Sequence, residues 1–123
     1  MNDDEFQKLV DEAVVSIPKE FLEKLENVAI VIEDWPNSHQ LRNLKLSKNN
    51  LLFGLYEGVP QTRRGRYGIG ATLPDKITIF KLPLMMVSGD YQMLKKNVAD
   101  TVVHEIAHHF GMSEDDIRKP KNT

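Results

Sequence analysis

The chain has 123 residues, 41% hydrophobic and 28% charged, a size and composition that suit one domain with its own buried core. Net charge is -2 and pI is near 6.1, so no overall field recruits nucleic acid or an anionic membrane. Cysteine is absent, which excludes disulfides, thiol nucleophiles and cysteine-based zinc sites, and no apolar run approaches the roughly 20 residues that span a bilayer.

The start MNDDEFQKLVDEAVV is acidic and amphipathic, unlike a basic leader with an apolar run, so a soluble cytoplasmic protein is expected. Asn2, with Glu5 three residues on, can cap a first helix. Phe6, Leu9, Val10, Ala13 and Val14 then follow helical spacing. Pro18 suits the first turn of a second short helix carrying Phe21, Leu22 and Leu25 on one face. Residues 28–34 open with an apolar, β-branched run and predict a strand, ended by Trp35-Pro36-Asn37. The polar stretch to Asn50 reads as a loop or a ragged edge, with His39 solvated and Trp35 packed at the strand's end.

Residues 51–58 predict a second strand, in which Gly54 marks a bulge or a close approach. Residues 59–75, rich in Gly and Pro, read as a long loop whose Arg63, Arg64 and Arg66 are solvated. Its Gly65, Gly68 and Gly70 lack the order that a nucleotide cradle needs. The alternation over 76–83 predicts a third strand, and Met85, Met86 and Met93 read as core fillers. After Gly89-Asp90 a helix is expected to Phe110, with Gly111 as its left-handed stop. Ser113 and Asp116 then box the start of a last short helix, which Pro120 ends before a frayed tail. The order makes a single α+β domain over residues 1–123.

The stretch TVVHEIAHHFGMSEDD, residues 101–116, holds three of the chain's four histidines and four carboxylates. With Leu94 at zero on a helical wheel, Val102, Ile106, Ala99, Phe110, Val103 and Ala107 fill an arc from roughly 80° to 220°, a stripe suited to packing on a sheet. His104, His108 and Glu105 fall near roughly 280°, 320° and 20°, sharing a side away from that stripe. His109, near roughly 60°, falls at the edge of the packing side and is excluded as a ligand. The i,i+4 spacing lets both imidazoles meet one ion, and the Glu between them faces the metal-bound water: H-E-x-x-H on a helix. Zn²⁺ is the expected cofactor. A third ligand must follow the Gly111 turn, where Glu114, ten residues after His104, and Asp115 are the candidates.

These residues give the chain a resemblance to the small zincin-like metallopeptidases of bacteria, the mini-zincins, which look related to the Asp-zincins with their HExxHxxGxxD pattern. HEIAHHFGMSE places His104, Glu105, His108 and Gly111 at the family's positions, with Glu114 where that pattern has Asp. NVAIVIEDWP, LLFGLYEGVPQTRRGRYG and LPDKITIF extend the resemblance over most of the chain. It implies a minimal zincin-like fold: a small mixed three-stranded sheet on N-terminal helices and a long active-site helix, with little after it.

The chemistry expected is peptide-bond hydrolysis, with two histidines and one carboxylate on zinc and Glu105 as general base toward the zinc-bound water. Tyr67 is a candidate for contact with the developing oxyanion or substrate. A peptide or protein substrate, rather than nucleic acid or membrane, is expected, paired to a strand edge at 51–58 or 76–83. Two other readings remain: a protein-binding module that retains the zinc site, and a zinc amidase acting on small molecules.

Overall fold

Asn2 starts the first helix with a reciprocal cap: the Glu5 amide donates to Asn2 Oδ1 at 2.8 Å, and the Asn2 amide to Glu5 Oε1 at 3.4 Å. The protein is described by a computed structural model over residues 1–25, 28–43, 51–58 and 75–112, with the backbone alone at 42 and 43. Of the loop expected over 59–75, residues 59–74 lie outside the described residues and Asp75 opens a strand; 44–50 and the last short helix and tail also lie outside the described residues. In chain order the elements are α1 (Asp3–Val15), α2 (Lys19–Leu22), β1 (Val28–Glu33), α3 (Ser38–Asn43), β2 (Gly54–Glu57), β3 (Asp75–Phe80), α4 (Lys81–Val87) and α5 (Tyr91–His109). This is the α+β arrangement anticipated, with a small mixed sheet.

The sheet order is β1-β3-β2, with β3 parallel to β1 and antiparallel to β2. Ile77 pairs with Ile30 on one side and Tyr56 on the other, and Ile79 pairs with Ile32 and Gly54. Strand alternation therefore puts Gly54, Tyr56, Asp75, Ile77 and Ile79 on one face. That face meets Phe6, Leu9, Val10, Ala13 and Ile17 from the α1 side and Leu94, Val98, Val102 and Ile106 from α5. Thr78, Phe80 and Leu55, on the other face, are buried as well.

Two helices stand where the sequence suggested otherwise. The stretch expected to be a loop after Trp35 contains α3, whose start is boxed by Asn37 and Gln40: each side chain accepts from the other's backbone amide at 2.8 Å. The strand expected over 76–83 ends at Phe80, and α4 follows at once. Pro83 falls in the first turn of α4, where its missing N–H leaves no helical bond unmade. Lys81 is buried there and donates to Asp3 Oδ1 at 2.8 Å, tying α4 to the first turn of α1. Met86 and Met93 are exposed rather than core fillers, as is Trp35, because each sits on an outward position of its segment. No helix among the described residues is long and apolar enough to cross a membrane.

Candidate metal and catalytic site on helix α5

Helix α5 is capped by its own sequence at both ends. Asp90 accepts from the Met93 amide at 2.8 Å. At the far end Gly111 adopts φ 89°, its amide donates to the His108 carbonyl at 2.9 Å, and the Met112 amide donates to the Ala107 carbonyl at 3.1 Å. This is the Schellman pattern, and it requires the left-handed residue that glycine supplies without penalty.

The same turn sets the chemistry of His108. The Met112 carbonyl lies 3.0 Å from His108 Nδ1. A carbonyl only accepts, so Nδ1 carries the proton and Nε2 of the neutral ring holds the lone pair that a metal needs. His104 is one turn earlier, with its ring centroid 5.0 Å from that of His108 and the planes at 78°. Both rings are half-buried.

Glu105 is only 7% exposed, seated between α5 and β2. Gly54 makes the seat: a Cβ there would stand 2.8 Å from Thr101 Cγ2, 3.0 Å from Glu105 Cγ and 3.3 Å from Glu105 Oε2. Of the two readings of Gly54, close approach is the one the structure shows.

The buried face of α5 differs from the expected stripe. Leu94, Val98, Thr101, Val102, Glu105, Ile106 and His109 are its buried residues. They run from roughly 340° to 120° on the same wheel. Val103, near roughly 180°, is 45% exposed. Glu105 thus lies on the packing side rather than away from it, and His109 in the middle of that side rather than at its edge. A stripe drawn through apolar residues alone misses polar side chains, which pack equally well once they find partners. Thr101 returns its hydroxyl to the Asn97 carbonyl at 2.8 Å. His109, with no exposed surface, donates from Nδ1 to Asp75 Oδ2 at 2.8 Å, and the same oxygen accepts from the Tyr56 hydroxyl at 2.6 Å. Gly58 leaves room for that carboxylate: at φ +156° it holds a conformation hostile to side chains, and a Cβ there would run into Asp75.

The Tyr56–Asp75–His109 group was not anticipated. The available signal was a histidine at the centre of a buried helix face, which needs a buried partner, but its partner stands 34 residues away. Of the residues singled out in the sequence, His104, Glu105 and His108 come together on α5, while Tyr67, Glu114 and Asp115 lie outside the described residues. Among the described residues no three His, Asp or Glu side chains form a set that could hold an ion. Two imidazoles at adjoining turns, one with its tautomer fixed, fit two of the positions on a zinc ion.

On the flank beyond His104, a groove of about 720 Å³ opens between the α1–α2 junction and α5, lined by Ile17, Pro18, Phe21, Val103 and Phe110 and reaching His104. Phe21 and Phe110 meet edge to face at 5.9 Å. On the opposite flank, β2 is an outer strand among the described residues. Residues 76–83 offer no such edge, because β3 is the central strand.

The chain belongs to the zincin-like metallopeptidase family, whose profile matches residues 25–122. It is also similar to a solved structure, a conserved hypothetical protein from Thermo thermophilus, at 22% identity and a TM-score of 0.59, covering 88% of this chain and 92% of that one. That likeness is one of fold. No curated protein matches the chain.

Proposed function

We propose that the protein is a zinc-dependent peptidase in which His104, His108 and Glu114 hold the ion and Glu105 is the general base. The observation that carries this reading is the pair of imidazoles 5.0 Å apart, with His108 Nδ1 engaged by the Met112 carbonyl, beside a carboxylate enclosed between α5 and β2. Zinc, when bound, supplies Lewis acidity toward the scissile carbonyl and makes water acidic near neutral pH.

Glu105 takes a proton from the attacking water as its oxygen bonds to the carbonyl carbon. It then gives that proton to the amine as the C–N bond breaks. Its enclosure limits the orientations open to the carboxylate, so the base is held in place before substrate arrives. A peptide lying along the outer edge of β2 would gain main-chain hydrogen bonds close to Glu105. The groove reaching His104 suits a large apolar side chain of the same peptide, because its walls are mostly aliphatic and aromatic, with Ser16, Asp100 and His104 the polar exceptions.

The decisive variant is Glu105→Gln. It is expected to retain zinc and to lose turnover by about 10²–10⁴-fold, the usual worth of a positioned base. Undiminished peptide cleavage by that variant excludes the mechanism. Glu114→Ala is expected to weaken zinc binding far more than Asp115→Ala, and the reverse ranking moves the third ligand to Asp115. One zinc per chain with no cleavage anywhere in a peptide library points instead to a binding module.

A further inference from the structure

The hydrogen bonds at Asp75 bear on the metal site, and their role there rests on the proposed zinc ligation. We infer that Asp75 and His109 are positioning residues: the hydrogen-bonded Tyr56–Asp75–His109 group sets the rotation of α5 about its axis and so aims His104 and His108.

Asp75 belongs to β3, Tyr56 to β2 and His109 to α5. A single carboxylate oxygen, Asp75 Oδ2, accepts from both other elements, at 2.6 Å from Tyr56 and 2.8 Å from His109. His109 is wholly buried and Asp75 only 4% exposed. An apolar side chain at 109 would fill that position without directional demands. A hydrogen bond at 2.8 Å admits little sliding or rotation.

The lever arm shows why rotation matters. Side chains of an α-helix reach about 5–6 Å from its axis, so a turn of about 20° moves their tips by about 2 Å. Metal–ligand distances tolerate only about 0.2 Å. Apolar packing can re-form after a small rotation, but two ring nitrogens aimed at one ion cannot follow it. The sheet-facing positions 101, 105 and 109 alternate along α5 with the proposed ligands at 104 and 108. Gly54 lets β2 approach Thr101 and Glu105 closely, and Asp75 fixes the rotation at His109. His108 therefore lies directly beside the pinned residue. His109 itself is no ligand, since its Nδ1 is spent on Asp75 and its ring has no exposed surface.

The test is zinc affinity of the metal-free full chain, measured by competition with a chromophoric chelator below the unfolding temperature of every variant. Asp75→Ala and His109→Leu are expected to lower affinity about 10–100-fold, as loss of residues that orient ligands does. Asp75→Asn keeps an oxygen that accepts from His109 Nδ1 and should stay within about threefold of wild type. Tyr56→Phe removes one donor and keeps the ring, so it remains the reading if Asp75→Ala fails to fold; a loss of about 3–10-fold is expected. Val98→Ala, a core change away from the group, should lower the melting temperature and leave affinity unchanged. Variants at 56, 75 and 109 that melt earlier yet bind zinc like wild type overturn the inference, as does equal weakening by Val98→Ala. A wild-type chain that takes up no zinc overturns the ligand assignment itself.

Discussion

A methyl group at position 58 has nowhere to go. Gly58 holds φ +156°, and its added Cβ would overlap the Asp75 carboxylate. Gly58→Ala is expected to cost about 2–4 kcal/mol, combining backbone strain with the disturbed hydrogen bonds of Asp75. Gly89 is the internal control, because nothing lies within 4 Å of a Cβ built there. Gly89→Ala should change stability by less than about 1 kcal/mol, and in the stabilising direction where it narrows the unfolded ensemble. Urea unfolding of the two variants side by side measures the difference. The residue scale also marks what the sequence could reveal. The proximity of His104 and His108 follows from helical geometry, so spacing alone conveys it. The pairing of His109 with Asp75 spans 34 residues and exists only once α5 lies against β3.

At the scale of elements, local chemistry located most boundaries, and tertiary contact decided the rest. The caps at Asn2, Asp90 and Gly111 act within a few residues, and each stands where its pattern indicates. The box between Asn37 and Gln40 is equally local; it escapes notice because the surrounding residues are polar and α3 shows no apolar stripe. Strand β3 gives way to α4 at Lys81 although alternation continues to Leu82, since the Asp3 partner that holds Lys81 comes from the opposite end of the chain. The contact of β2 with α5 is likewise tertiary, and Gly54→Val tests it. With Thr101 Cγ2 at 2.8 Å from the new Cβ, the strand must lift or Glu105 must shift, at a cost of about 1–3 kcal/mol. On the proposed mechanism this variant should lose turnover out of proportion to zinc affinity, because the base moves while neither imidazole is touched. A parallel fall in both quantities would mean that β2 also supports the ligands.

Across the whole molecule, a bound ion would join α5 to the chain beyond Gly111, and that cross-link has a thermodynamic signature independent of catalysis. A ligand that binds only the folded state stabilises it by RT ln(1 + [L]/Kd), about 2.7 kcal/mol at a hundredfold excess over Kd. For a chain of this length each kcal/mol raises the melting temperature by about 3–6 °C, so zinc should raise it by about 8–16 °C and a chelator should reverse the rise. The ranking of variants carries the argument. Glu105→Gln should keep the full shift, since in the proposed ligation the carboxylate takes no part in holding the ion. His104→Ala and His108→Ala should abolish it, because one imidazole cannot replace two. Asp75→Ala should keep part of it at saturating zinc and lose most of it near the wild-type Kd, since a weakened site fills when concentration rises. Calorimetry at two zinc concentrations separates these cases, and a shift that survives loss of either histidine places the ion elsewhere in the protein.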